Sequence, residues 1–286
     1  MKISTLIVLL FLFSCSKLVQ DEFPYFPQTP VINSILVAGN SLKLHVSLTS
    51  KIDTTLLPVV NDATVFLYVN SEYAEQLSFV EKGIYESSVI IKEGNVYNCE
   101  INIPGYETVS VCDTVPISSR ILNIKHIKNA GKNEEGQTYP AVEFTFENKP
   151  YRQQYFEVLI KFFAYGEEEL ADIIYIEDPV ILNEGIPIAV FSNELITDTV
   201  YTMKLNYTTG KDNGQQMELF PFVLELRSVS YDYYRYVKQL YLYELSRYPN
   251  GFNAYGTVFS LYSNVQNAYG IFAAYSKACS DTIVPE

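Results

Sequence analysis

From residue 42 to residue 48, Leu42, Leu44, Val46 and Leu48 alternate with Lys43, His45 and Ser47. A period of two satisfies a strand with one buried face and cannot be laid on one side of a helix. Comparable apolar segments follow at short intervals, most of them separated by turn-forming residues such as Asn61-Asp62, Lys82-Gly83, Glu93-Gly94-Asn95 and Pro104-Gly105. Strands are expected over 31–37, 42–48, 64–69, 77–80, 85–91, 97–103 and 107–111. About seven short strands in roughly ninety residues suggest an immunoglobulin-like or transthyretin-like β-sandwich. Pro116-Ile117-Ser118-Ser119 is the natural place for it to end.

The second half continues the β pattern over 121–127, 142–147, 155–165, 186–191, 199–207, 220–228, 258–262 and 270–276. Residues 129–138 are polar enough to read as a loop, and Glu167-Glu168-Glu169 as the start of another. One segment differs: Ser230 suits a helix cap, and Tyr231 to Arg247 runs without Gly or Pro until Pro249-Asn250-Gly251 ends it. The expected fold is therefore mainly β. A sandwich over 30–117 precedes a second β-rich domain over 118–286, which carries one packed helix at 231–247.

The amino terminus has a different character. Lys2 precedes the apolar run Leu6 to Phe13, and the run closes on Leu12-Phe13-Ser14-Cys15. A charged start, a run too short to span a bilayer and a small residue before the cut describe a signal peptide over 1–14. Its end resembles the bacterial lipobox, which implies that Cys15 is lipidated and becomes the first mature residue. Residues 15–29, with Pro24 and Pro27, then read as an extended tether. No second run of about 18 apolar residues follows, so membrane attachment is expected through the lipid alone. The net charge of −13 disfavours nucleic acid as a partner.

Residues that could carry chemistry are sparse. His45 and His126 lie on separate expected strands, and neither has a sequence-adjacent partner for catalysis. Hydrolase elbows, zinc motifs and phosphate loops are missing. Asp172, Glu177 and Asp178 cluster near a loop without the spacing of a calcium-binding EF-hand. No catalytic residue, metal or other cofactor is therefore expected. Pairing about Gly105-Tyr106 would set Cys99 opposite Cys112, which allows a cross-strand disulfide; the same alternation suits buried free thiols equally well.

Tyrosine is the chemically marked residue. The chain has 24 Tyr and no Trp, and seven of the tyrosines fall from Tyr231 to Tyr248. That exceeds what one buried helix face accommodates. Because Tyr and Arg dominate many interfaces, a docking surface is expected at Tyr231, Tyr234, Arg235, Lys238, Tyr241, Arg247 and Tyr248, with the loop over 249–255.

An ordered set of fragments runs through nearly the whole mature chain: Pro30-Val31-Ile32-Asn33-Ser34, Val60-Asn61-Asp62-Ala63-Thr64-Val65, Gly83-Ile84-Tyr85, Pro104-Gly105-Tyr106, Tyr155-Phe156-Glu157-Val158, Leu226-Arg227-Ser228-Val229-Ser230, Tyr262-Ser263-Asn264-Val265 and Gly270-Ile271-Phe272-Ala273-Ala274-Tyr275. This set resembles the Bacteroidota lipoproteins catalogued as domain of unknown function 4249. Asn253-Ala254, where a more polar turn belongs, and three cysteines besides Cys15 depart from the pattern. The resemblance implies an accessory or ligand-binding subunit of an uptake system, partnered with a TonB-dependent outer-membrane β-barrel transporter, and implies no catalytic residues. The expectation is thus a non-enzymatic lipoprotein anchored to the outer membrane and facing the cell surface. A hydrolase on a β scaffold and a purely structural surface protein are the alternatives.

Overall fold

Three sheets account for the alternating segments in a computed structural model that describes residues 27–51, 56–211, 217–247 and 259–285. The first half supplies β1 (Pro30–Val37), β2 (Ser41–Leu48), β3 (Thr64–Val69), β4 (Glu72–Gln76), β5 (Ser78–Glu81), β6 (Ile84–Ile90), β7 (Val96–Asn102) and β8 (Val109–Thr114). The second half supplies β9 (Ile121–Lys132), β10 (Thr138–Glu147), β11 (Tyr155–Ala164), β12 (Glu167–Leu170), β13 (Asp172–Ile174) and the short helix α1 (Pro179–Asn183). It continues with β14 (Val190–Ser192), β15 (Val200–Thr208), β16 (Phe222–Val229), helix α2 (Tyr231–Arg247) and β17 (Tyr269–Cys279).

One nine-stranded sheet runs β12-β11-β16-β17-β1-β2-β6-β5, with β14 added against β11. Two four-stranded sheets, β4-β3-β7-β8 and β13-β15-β10-β9, pack on it and complete two sandwiches. The first core gathers Leu42, Leu44 and Val46 from β2 with Val65, Leu67, Tyr97, Cys99 and Ile101 from the small sheet. In the second, Phe144 and Phe146 of β10 meet Phe156, Phe162 and Phe191. Alternation on β2 therefore works as the sequence suggests, with Lys43 outward and its neighbours inside.

The join between the halves is the unexpected element. β17, last in the chain, lies parallel to β1, the first strand, from Val31 opposite Tyr269 to Val37 opposite Tyr275. It is the one parallel pair among the described strands. Phe272 and Ala274 of β17 enter the first core, whereas Ile271 and Ala273 point to the other face. The linker at 116–119 does separate the two small sheets, but the large sheet is continuous across both halves.

Helix α2 occupies the residues expected of it, and its cap is Ser230. The Ser230 hydroxyl accepts from Tyr233 N at 3.2 Å and from Ala274 N at 3.2 Å, so one side chain both starts the helix and ties it to β17. The helix lies on the outer face of the large sheet, against Val229, Ile271, Ala273, Tyr155 and Tyr275.

Several expectations are corrected. Glu167-Glu168-Glu169 belongs to β12, hydrogen-bonded to β11. The polar stretch after residue 129 first extends β9 to Lys132 and turns only at Asn133–Gly136. Residues 259–262 form no strand. The segment they open instead uses the Asn264 side chain as a surrogate peptide: its Oδ1 accepts from Phe272 N at 3.0 Å and its Nδ2 donates to Phe272 O at 2.8 Å. Strand β4, with Glu72 to Gln76 mostly exposed, carries no apolar alternation that would reveal it.

The cysteine pairing is corrected too. Cys99 stands opposite Val111, and Cys112 opposite Asn98. A shift of one residue puts the two thiols on opposite faces, Cys99 buried and Cys112 exposed, and both are free. Burial pushes the Cys99 thiol up to about 12, so it behaves as a core residue rather than a nucleophile.

Gly270 is the tightest point of the β1–β17 join. Its φ of +119° is one that residues with a side chain rarely adopt, and a Cβ there would be driven into the Ile32 carbonyl. Gly270→Ala should cost about 3 kcal/mol, read as a lowered denaturation midpoint, whereas Gly105→Ala, at a turn with open space, should cost less.

Candidate functional site

The surface around α2 divides into three linked parts. The first is an aromatic ladder. The Tyr155 ring lies 4.7 Å from that of Tyr234 and 5.4 Å from that of Tyr231, and Arg235 stands over Tyr231 at 5.7 Å and Tyr262 at 5.4 Å. Tyr231 remains 48% exposed, which leaves part of this ladder open to solvent.

The second part is an ion cluster on the same sheet face. Alternation on β16 sends Leu224 and Leu226 into the core and turns Glu225 and Arg227 outward beneath the helix side. Arg227 donates to Glu225 at 2.6 Å and to Glu157 at 2.8 Å, and Tyr233 OH donates to Glu157 at 2.8 Å. Lys161 completes the set at 3.1 Å from Glu225. Burial alone would raise the Glu225 carboxyl, but Arg227 and Lys161 outweigh it and hold the group below its ordinary range. Charges satisfied this completely act as a structural clamp, and removing one partner would strand the others.

A smaller cluster holds the middle of α2. Lys238 Nζ lies 2.7 Å from Glu184 Oε2, the Tyr234 hydroxyl donates to the same carboxylate, and Ser192 N donates to its other oxygen at 2.6 Å. Tyr234 and Lys238, expected at a docking surface, are thus engaged within the chain. Arg247 pairs with Glu244 at 3.3 Å, and Tyr241 is half-buried. Of the tyrosines on α2, only Tyr233 is buried. Leu245 is 56% exposed. Cys15, Tyr248 and the 249–255 loop lie outside the described residues.

The third part is a groove of about 270 Å³ where the two sandwiches meet, between residues 113–117 and the 149–155 loop. Ser228 to Tyr231, Tyr155 and the exposed Lys149 and Arg152 are among the residues that line it. Asp113, from the end of β8, borders it. Its Oδ1 accepts from Thr114 N at 2.7 Å, while its buried Oδ2 has no hydrogen-bond partner. Burial raises this carboxyl to about 7; Ser230 and Thr114 N–H oppose the shift, and Asp232 adds to it. The sequence offered no sign of this residue, because a strand-end aspartate reads as solvated.

The remaining candidates have structural partners and do not converge. Asp178 caps α1, accepting from Val180 N at 2.9 Å ahead of Pro179 at the first turn. Glu177 faces Lys204 at 3.9 Å, and Asp172 is an exposed residue at the start of β13, its backbone in register with Thr208 of β15. His126 Nε2 lies 3.2 Å from Tyr207 OH, and burial lowers its pKa. Among the described residues, no group of three or more His, Cys, Asp or Glu is placed to hold a metal. No helix among them is long and apolar enough to cross a membrane.

A family model described as Domain of unknown function (DUF4249) matches residues 17–280. The chain belongs to that family. No curated protein matches it. Among solved structures, a β-glucuronidase from glycoside hydrolase family 2 is similar at 12% identity and a TM-score of 0.23. The match covers 70% of this chain and 19% of that one, and it bears on neither fold nor function.

Asp113 makes the stability depend on pH in a defined direction. The folded chain holds this proton up to about pH 7, whereas the unfolded chain releases it near the ordinary aspartate value of 3.8. Folding therefore loses stability as pH rises from about 4 to about 7. Asp113→Asn should be close to neutral at pH 4 and stabilising by about 1–3 kcal/mol at pH 8, measured by denaturant titration of both proteins at each pH.

Proposed function

We propose that this chain is a lipoprotein anchored to the outer membrane through Cys15, and that it serves as a non-catalytic accessory subunit of a TonB-dependent β-barrel transporter at the cell surface. The observation that carries the reading is the surplus aromatic surface of α2: of its six tyrosines only Tyr233 is buried, with Tyr231 and Leu245 left open to solvent. A long helix held rigidly on a sheet presents such residues with little entropy to lose on docking. Tyrosine suits that role because its ring buries area while its hydroxyl tolerates a wet rim. The Leu12-Phe13-Ser14-Cys15 sequence supports the anchor, and several acyl chains on one cysteine would hold the protein stably. The Bacteroidota source and the transporter partnership rest on the family resemblance.

Two substitutions separate the anchor from the docking face. Cys15→Ala should leave the chain unlipidated and uncleaved, and recovery of a mature-sized variant in the membrane fraction would contradict the anchor. Tyr241→Ala with Leu245→Asp should weaken co-purification of a β-barrel from native membranes by about 2 kcal/mol of binding, with the melting temperature nearly unchanged. Undiminished recovery of the barrel would remove α2 as the docking element.

A further inference from the structure

The groove between the sandwiches has features that the architecture does not require. Cations elsewhere on this acidic chain are commonly paired: Lys161, Lys211, Arg227 and Lys238 each meet a carboxylate. Lys149 and Arg152, which line the groove, are exposed and form no ion pair among the described residues. The same groove is lined by the Tyr155 and Tyr231 rings, 5.4 Å apart, and by Pro116 and Ile117. Ile117 is 45% exposed, which leaves part of an apolar side chain open to solvent. Two unpaired cations beside an aromatic and aliphatic wall form a complementary pair of surfaces, one for an anionic group and one for an apolar body.

We propose that this groove binds a small organic carboxylate with an apolar or aromatic body, the carboxylate lying between Lys149 and Arg152 and the body against Tyr155 and Tyr231. The volume of about 270 Å³ accommodates a ligand the size of one or two amino-acid residues. Two sources share this chemistry: a free small acid, and the C terminus of a peptide entering from the open side.

Asp113 sets how binding responds to pH. The groups that act on it are Thr114 N–H on its own strand, the cap Ser230, Asp232 of α2 and Ala274 N–H of β17, and its charge in turn raises the thiol of the neighbouring Cys112. Lys149 and Arg152 line the same groove. Because its carboxyl titrates at about 7, the groove gains a negative charge as pH rises through neutrality, and an anionic ligand is then repelled.

The test is calorimetric titration of the full chain in detergent. The probes are N-acetyl-L-phenylalanine, the peptide Ala-Ala-Ala-Phe with a free C terminus, and the amide of each. Saturable binding of an acid, with its amide about tenfold weaker, is expected. Lys149→Ala with Arg152→Ala, both at exposed positions, should weaken the acid about tenfold while circular dichroism and melting stay unchanged. Affinity should fall between pH 6 and pH 8, and Asp113→Asn should flatten that dependence. Binding of N-acetyl-L-phenylalanine alone would identify a free acid as the ligand class, and binding of both acids a peptide C terminus. No saturable binding of either acid at millimolar concentration would overturn the proposal. So would amides that bind as well as the acids, or an affinity indifferent to loss of both cations. None of these failures would touch the anchor at Cys15 or the docking test, which uses Tyr241 and Leu245.

Discussion

The parallel pairing of β1 with β17 is the constraint on which the rest of the molecule depends. It joins the first and last strands in the middle of the large sheet, so neither sandwich has a large sheet of its own. β17 serves three surfaces at once. Its even-numbered residues Phe272 and Ala274 fill the first core, its odd-numbered residues Ile271 and Ala273 support α2, and its later part pairs with β16 of the second half. A parallel pair between chain ends closes a very long loop, which costs entropy that only extensive burial on both faces offsets. The pairing leaves no room for a side chain at residue 270, where the Ile32 backbone of the neighbouring strand lies alongside.

From that join follows the placement of α2. A sheet face over β11, β16 and β17 would otherwise be open, part apolar and part charged. The helix covers the apolar part through Tyr233, Tyr236 and Val237, while the Glu157–Arg227–Glu225–Lys161 cluster satisfies the charged part. Tyr233 belongs to both, since its ring is buried and its hydroxyl reaches Glu157. Ser230 fixes where the helix begins, and the same turn lines the groove beside Asp113. The candidate site is thus a by-product of where two sandwiches and one helix meet.

Much of the fold was legible because burial on one face leaves a period of two. β2, β3 and β7 show it plainly, and α2 declared itself through its cap and its uninterrupted length. Pairing between distant strands leaves no such trace. Nothing in residues 269–279 says that their neighbour is β1 rather than a strand nearby. Register failed for a related reason: placing the turn one residue away reversed the faces of Cys99 and Cys112. Within the site, the tyrosines were visible as composition, yet their partners were not. Glu184, which holds Tyr234 and Lys238, sits in a loop with no pattern to mark it. Glu225 and Arg227, two residues apart on one strand, were the available hint of an ion cluster, because charges on an otherwise apolar strand must meet partners.

The central claim is that the β1–β17 join makes the two sandwiches one cooperative unit. Hydrogen exchange of the full chain across a denaturant series, read in peptides from β7 and from β10, tests it most directly. The account predicts that both sets of peptides lose protection at the same denaturant concentration and together with those of β17. Loss of protection in β7 while β10 and β17 remain protected would contradict it.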